Sequence, residues 1–320
     1  MRINARKLFS FALRAGITAL AFWIIFRKVE IGTLQQTIAG ADSGWLILAV
    51  ALFLLTQFGS IVRWKLLVPA HPRLTWRFLA DSFFVGCFFN GFLPTTVGGD
   101  VVRGYDLIKA TGEWKESLAS ILMDRLTGLV GLLILATLSW GIFPPAREDP
   151  VLRSGLLGVS LFVVILIGII SSRRVLQASL KPFGKIGLGQ LESHAAQFQE
   201  ALRNYLHRPK ALLGALGISL VIQSMAIVIC AVVAQALHLS IPILSFLIIV
   251  PVVAIVSQIP FSLNGWGIRE GTTIVLLQRV GIDPAHALSL SLVGAVIQLS
   301  PGVIGGGLFL ARQRRRRPPA

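Results

Sequence analysis

Long apolar runs recur along this chain from its first residues to its last, and they constrain the fold more than any other feature. A helix needs roughly 20 mostly apolar residues to cross the hydrocarbon core of a bilayer. The runs alternate with short connections that hold most of the basic residues. The candidate segments are residues 8–26, 44–62, 78–93, 126–143, 156–171, 211–237, 243–259, 272–280 and 287–310. The sequence therefore predicts an all-α polytopic membrane protein.

The composition also indicates a bilayer as the solvent of this chain. Hydrophobic residues make up 54% of the 320 residues and charged residues only 14%, with a mean hydropathy of +0.77. The formal charge of +16 lies in short connections and at the ends of apolar runs, so it indicates topology rather than nucleic-acid binding. Neither Cys87 and Cys230 nor the five histidines show metal or redox spacing, and no metal or cofactor is predicted.

Two apolar stretches are interrupted in the same manner, at residues 93–104 and 259–271. In each, a proline is followed by glycines and then by an arginine nine positions after the proline. The prolines are Pro94 and Pro260, the glycines Gly98, Gly99, Gly265 and Gly267, and the arginines Arg103 and Arg269. Unwound backbone survives at membrane depth only where protein or a water-filled cavity satisfies it. Because such breaks in matching halves point to a substrate site, we predict the site there.

The distribution of basic residues predicts that both breaks are re-entrant hairpins. It places the amino terminus, the connection before residue 78 and the loop 172–210 in the cytoplasm. If residues 78–93 crossed the bilayer, that loop would emerge on the wrong face, and a hairpin from residue 78 to roughly 105 removes the conflict. A second hairpin, formed by 243–259 and 272–280, then enters from the opposite side. The predicted fold has about 7–8 transmembrane helices, an inverted repeat and both termini in the cytoplasm.

The whole chain, residues 1–320, is expected to form a single membrane domain. Its half-repeats span about 44–143 and 211–310. Between them, residues 172–210 carry apolar residues among basic ones, which predicts an amphipathic helix on the cytoplasmic leaflet. An ordinary polar linker helix is the alternative.

Charged residues at and near the breaks are the candidate site residues, because an arginine or aspartate near the bilayer centre costs at least about 2.5–3.5 kcal/mol on insertion scales. Arg103 has two interpretations. It forms an ion pair with Asp100, three residues away on one helical face, or it shares a lipid phosphate with Arg269, since guanidinium matches phosphate bidentately. Arg125, at the predicted opening of a spanning helix, either snorkels to the interface or contacts the ligand. The acidic candidates for pairing or coupling are Asp100, Asp124 and Glu270.

The glycines of the breaks predict a phosphate-binding turn. Gly98 with Gly99, and Gly265 with Gly267, allow tight turns that expose N–H groups at the start of the returning half-helix, where the dipole favours anions. Close helix packing is the alternative. Asn264 either satisfies freed backbone groups or contacts the headgroup, whereas a structural role is expected of Asn90.

Read together, the segments 90–94, 98–103 and 260–270 and the pair Asp124-Arg125 resemble the membrane region of the lysylphosphatidylglycerol synthase family, also described as the flippase-like domain family. The similarity runs from roughly Arg6 to Arg312. It implies a multi-pass plasma (inner) membrane domain with re-entrant helices, which binds phospholipids or other lipid-linked anionic compounds and moves them between leaflets. Full synthases also carry a soluble domain that transfers lysine from charged transfer RNA. This chain ends shortly after its last apolar run, so we expect no aminoacyl transfer.

Three functions are open from the sequence. The leading hypothesis is a lipid flippase or transporter that binds an anionic phospholipid or lipid-linked phosphate between the two hairpins. The second is a membrane subunit or accessory of a lipid-modifying transferase, with Asp100 or Glu270 as a base, and the third is an ion-coupled small-molecule transporter. No nucleophile, Walker or dinucleotide motif is present, so catalysis by this chain alone is not expected. A separate soluble enzyme and a second copy in a homodimer are left open as partners; nucleic acid is not expected.

Overall fold

The computed structural model describes residues 5–92, 98–142, 189–257 and 262–316, together with eight positions between 157 and 168. The regular elements within these ranges are all helices. In chain order the longer α-helices are α1 (Ala5–Lys28), α2 (Ile31–Ala39), α3 (Ser43–Leu67), α4 (Trp76–Phe92), α5 (Gly98–Thr111), α6 (Trp114–Ile142), α7 (Gly189–Leu206), α8 (Pro209–Ala236), α9 (Ile243–Ser257), α10 (Ile268–Gln278) and α11 (Pro284–Arg316). A short 3-10 turn (Leu263–Gly265) lies between α9 and α10. The all-α fold is confirmed over this part of the chain.

Four of the described helices, α3, α6, α8 and α11, are long and apolar enough to cross a membrane. Each has at least 25 residues, or about 38 Å at 1.5 Å per residue, against a hydrocarbon core of about 30 Å. The chain is therefore a polytopic membrane protein. The predicted segment 156–171 lies mostly outside the described residues, and the total of about 7–8 spans stays a prediction.

The start of α6 and the existence of α2 depart from the sequence-based segments. The segment expected to begin at residue 126 begins at Trp114, so Asp124 and Arg125 lie inside a helix rather than opening one. The added turns are too polar to read as a membrane run, but Ala119 and Met123 within them are buried against α7. α2 has only nine residues, and Leu34 is its buried apolar side chain, which leaves too little periodicity to find it.

The chain folds as two compact units. Unit 1 comprises Met1–Gln57, Phe83–Val101 and Gln223–Ala320, and unit 2 comprises Phe58–Ser82 and Val102–Ile222. The predicted half-repeats stay a prediction.

Unit 1 includes a close packing of α11 against α4. A Cβ atom on Gly305 would lie 1.8 Å from the Phe84 carbonyl oxygen, so only glycine lets the two backbones approach this far. One turn further along α11, the Phe309 ring stacks on Phe88 at 6.0 Å and meets Phe89 edge-on at 5.2 Å. Small residues and aromatic rings therefore join α11 to the end of α4 that leads into the first break.

Unit 2 has an apolar core between α7 and its neighbours. Ala201, Leu202 and Tyr205 of α7 pack with residues of α3, α6 and α8. The Tyr205 hydroxyl donates a hydrogen bond of 2.6 Å to the backbone carbonyl of Leu67. Leu67 is the last residue of α3, so its carbonyl has no donor within the helix. Burial raises the pKa of the Tyr205 hydroxyl above its usual value. This end of the predicted interfacial linker is thus covered by protein, and its position on a leaflet stays a prediction.

Candidate functional site

The first break begins where α4 ends at Phe92, and the chain resumes as α5 at Gly98. The Asn90 side-chain Oδ1 accepts the Gly99 backbone N–H at 2.7 Å. A Cβ atom on Gly99 would lie 2.2 Å from the Gly86 carbonyl oxygen, a contact that no other residue type tolerates. α5 therefore starts directly against the last turns of α4. Gly98, Gly99 and Asp100 are all buried.

The second break lies between α9 and α10. The described part begins at Ser262 and passes through the 3-10 turn. Asn264, Gly265 and Gly267 all have positive φ angles, of 50°, 77° and 84°. Such angles stop a right-handed helix, and asparagine and glycine are the residues that adopt them most readily. A Cβ atom on Gly265 would come within 2.9 Å of the Ser257 carbonyl oxygen at the end of α9, so this turn also folds back on the helix before it.

The two breaks meet in unit 1. The Asn264 Nδ2 donates to the Asn90 backbone carbonyl at 3.3 Å, across 174 residues of sequence. That carbonyl lies in the last turn of α4, where helical carbonyls lack an intrahelical donor. Asn90 thus accepts a hydrogen bond from each break: its side chain accepts the Gly99 N–H, and its backbone carbonyl accepts the Asn264 amide. The asparagine amide satisfies freed backbone, which is one of the two roles open to it from the sequence.

Directly after the second break lies the Arg269 cluster, defined as Trp266, Arg269, Glu270 and Gln298. The Glu270 carboxylate is fully buried; its Oε2 accepts the Gly267 N–H at 2.6 Å and its Oε1 accepts Arg269 Nε and Nη2 at 2.9 and 2.8 Å. Arg269 Nη1 donates to Gln298 Oε1 at 3.3 Å. The guanidinium also lies 4.7 Å from the centre of the Trp266 ring, within cation–π range.

Glu270 takes the place that the sequence assigns to a phosphate at the start of α10. It is the third residue of the helix and reaches back to the N–H of Gly267, which precedes the helix. A carboxylate in this position satisfies an N-terminal amide and matches the positive end of the helix dipole. The Gly267 amide is thus already satisfied within the protein.

Unit 2 contains the Asp124 cluster, defined as Arg63, Trp64, Arg103, Asp124 and Ser219. Asp124 is buried, and its two oxygens accept Arg63 Nε at 2.8 Å and Arg103 Nη2 at 3.0 Å. Arg63 Nη1 donates to Ser219 Oγ at 3.0 Å, and the Arg103 guanidinium lies 4.0 Å above the Trp64 ring. These contacts join α3, α5, α6 and α8 through buried polar groups.

The predicted site residues are divided between the two units. Those in unit 1 are Gly98, Gly99, Asp100, Asn264, Gly265, Gly267, Arg269 and Glu270, and those in unit 2 are Arg103, Asp124 and Arg125. The structure gives Arg103 an ion pair with Asp124, a partner that helical spacing does not suggest. Arg125 is exposed although its neighbour Asp124 is buried. A pocket shared by Arg103 and Arg269 stays a prediction.

Five residues of these clusters are absent from the sequence-based set: Arg63, Trp64, Ser219, Trp266 and Gln298. The sequence assigns Arg63 to a cytoplasmic connection, yet it lies inside α3, four residues before its end. Gln298 is a polar residue within an apolar run, and that interruption is the signal that marks it. Across the residues that the structure describes, no group of three His, Cys, Asp or Glu side chains could hold a metal ion.

The fold defines a polytopic α-helical membrane protein. A family model described as the lysylphosphatidylglycerol synthase TM region matches residues 11–306, and the chain belongs to this family. The resemblance read from the motifs is thereby confirmed. The chain is also 21% identical, over 299 residues, to a UPF0104 membrane protein of Pyrococcus horikoshii; the match covers 86% of this chain and 89% of that protein.

Proposed function

We propose that this protein binds the headgroup of an anionic phospholipid, or of a lipid-linked phosphate, at the two helix breaks and moves the lipid between leaflets. The contact between the breaks, Asn264 Nδ2 to the Asn90 carbonyl, carries the proposal. It joins the irregular backbone at Asn264 to the last turn of α4, two parts of an apolar chain that are distant in sequence. Irregular backbone at membrane depth is tolerated where it lines a cavity or is buried in protein.

Helix lengths support re-entrant hairpins. α5, α9 and α10 have 14, 15 and 11 residues; at 1.5 Å per residue they reach about 16–23 Å, less than the hydrocarbon core of about 30 Å. A helix pair of this length that enters from one face turns within the bilayer. In the proposed arrangement the two pairs enter from opposite faces as an inverted repeat, and both termini are cytoplasmic because basic residues are retained there.

Arg269 is the proposed cation for the headgroup. Its three hydrogen bonds to described residues use three of the five guanidinium donors, and its side chain is 14% exposed. Glu270 compensates the charge and fixes the Nε edge of the guanidinium. Nη1 is directed to Gln298, an exposed residue of α11, so a phosphate oxygen would approach from that side while the acyl chains stay in lipid.

The test is lipid movement in reconstituted vesicles. Purified protein is incorporated into liposomes with a fluorescent phosphatidylglycerol analogue, and the leaflet exposure of the dye is followed by dithionite quenching. We expect faster movement than in empty vesicles, and a loss of about tenfold or more in Arg269→Gln, because a charge-assisted bond to phosphate is removed. Arg279→Gln is the matched control, since Arg279 is an exposed arginine at the end of the same helix.

A wild-type rate equal to that of empty vesicles would overturn the proposal. So would equal rates for the Arg269→Gln and Arg279→Gln proteins, because movement would then not depend on the cation at the break.

A further inference from the structure

We infer that α1 is a clamp that positions the second break and, through Trp266, the Arg269 guanidinium; the part that concerns the headgroup rests on the proposed function. The sequence places the first helix outside the repeat and assigns it no role beyond spanning. In the structure α1 contacts both the 3-10 turn and α10.

The first contact is a hydrogen bond to the backbone of the turn. The Leu263 N–H donates to the Thr18 side-chain Oγ1 at 3.0 Å, across 245 residues of sequence. Leu263 opens the 3-10 turn, where an amide has no carbonyl of a preceding helical turn to bind. Thr18 therefore supplies an acceptor that the interrupted helix lacks.

The second contact is steric and lies on the other side of the turn. A Cβ atom on Gly267 would come within 2.7 Å of the Ala21 Cβ. Gly267 also has a φ of 84°, which side chains rarely allow. Small residues on both surfaces thus let α1 lie directly on the residue that precedes α10.

The third contact reaches the charged group. The Phe22 ring lies 6.4 Å from the Trp266 ring, tilted by 39°. The Arg269 guanidinium also contacts the Trp266 ring, 4.7 Å from the ring centre. A displacement of Phe22 would therefore remove one of the contacts that hold the indole under Arg269.

Thr18, Ala21 and Phe22 stand at positions i, i+3 and i+4, so they form one face of a single turn of α1. This turn of α1 contacts the second break at two points: at Leu263, where the 3-10 turn begins, and at Gly267, after the 3-10 turn ends. Contacts at both ends of the 3-10 turn restrict its backbone. α1 thereby acts as a positioning element for the break rather than as a separate membrane anchor.

The backbone contact is tested by hydrogen exchange. Purified protein in nanodiscs carries Thr18→Val, which keeps the shape but removes the acceptor, or Thr18→Ser, which keeps a hydroxyl. The exchange rate of a peptide covering Leu263 is read by mass spectrometry. We expect about tenfold faster exchange in Thr18→Val and near wild-type exchange in Thr18→Ser. Equal rates in Thr18→Val and wild type would overturn the clamp.

The link to Arg269 is tested by headgroup binding, measured separately from lipid movement. Short-chain phosphatidylglycerol is titrated into the full-length protein carrying Phe22→Ala, with Leu20→Ala as the control, because Leu20 is an exposed neighbour on another face of α1. We expect Phe22→Ala to raise the half-saturating lipid concentration about threefold to tenfold. The maximal movement rate should stay within about twofold, since a positioning residue alters affinity first.

The outcomes separate the two proposals. Faster exchange in Thr18→Val with unchanged binding in Phe22→Ala would overturn the positioning of Arg269 by α1. Binding without lipid movement in wild type would overturn the proposed function and leave the clamp standing. If the wild type bound no phosphatidylglycerol, the proposed function would fall, and the exchange rates would decide the clamp alone.

Discussion

The Asp124 cluster and the Arg269 cluster use the same chemical groups but are assembled differently. Each places an arginine on a tryptophan ring and against a carboxylate. In the Asp124 cluster the hydrogen-bonded partners are 21, 61 and 156 residues apart. In the Arg269 cluster, Trp266, Arg269 and Glu270 lie within five consecutive residues, and only Gln298 comes from another helix.

This difference indicates different roles. The Asp124 cluster depends on the packing of four helices, and its carboxylate is shared by two guanidinium groups, so its main effect is to hold unit 2 together. The Arg269 cluster depends on a local backbone turn and adjoins the point where the two breaks meet. Interactions that a short segment supplies by itself can change without unfolding the helices around them. We therefore propose that Arg269 binds the headgroup and that Asp124 has a structural role.

The largest expected effect is that of Asp124→Asn. The change removes the shared counter-charge of two buried guanidinium groups, and breaking a buried ion pair costs about 3–5 kcal/mol. Thermal unfolding in detergent is the measurement. Glu270→Gln, the same acid-to-amide change in the other cluster, affects one guanidinium and should cost about half as much.

Glu113→Gln is the control for both, because Glu113 is an exposed acid just before α6. If Asp124→Asn lowered the melting temperature no more than Glu270→Gln, the contrast between the clusters would be contradicted.

The second-largest expected effect is that of Gly267→Ala, which tests whether the Arg269 cluster depends on the backbone turn that ends at Gly267. Alanine at a φ of 84° is strained, and its methyl group would meet Ala21. Strain and overpacking together should cost about 2–4 kcal/mol. Gly271→Ala, in the helix after the turn and with nothing within 4 Å of its Cβ, should be neutral or slightly stabilising. Equal melting temperatures for the two variants would show that the turn does not require glycine.

The sequence predicted elements best where an apolar run has polar borders. The segments 211–237 and 243–259 agree with Pro209–Ala236 and Ile243–Ser257 within two residues. The first turns of α6 were missed because they mix polar and apolar residues, and the apolar ones are buried only in the tertiary fold, with residues of α3, α7 and α8. No local sequence pattern predicts such burial, since the covering residues lie on other helices.

The same limit applies to the candidate site. Asn264 and Arg269 stand out in the sequence because they interrupt an apolar run. Thr18 and Ser219 do not, since a hydroxyl residue is common in membrane helices and can satisfy its own helix backbone. Their partners, Leu263 and Arg63, are set by tertiary packing across 245 and 156 residues. Residue type therefore identified the breaks, and only the fold could identify what holds them.

The smallest expected effect is that of Tyr205→Phe, which compares the buried charges of unit 2 with a buried neutral hydrogen bond. Loss of the bond to Leu67 should cost about 1 kcal/mol, well below the effect of Asp124→Asn. Burial raises the pKa of Tyr205 in the folded state. The contribution of the neutral hydroxyl to the free energy of unfolding is therefore complete below the pKa of tyrosine in the unfolded state, about 10. It is lost as the pH rises further, since the unfolded state then releases the proton more readily. Melting temperatures of wild type and Tyr205→Phe should differ at pH 8 and converge above pH 10, whereas a constant difference would mean that the hydroxyl is not buried.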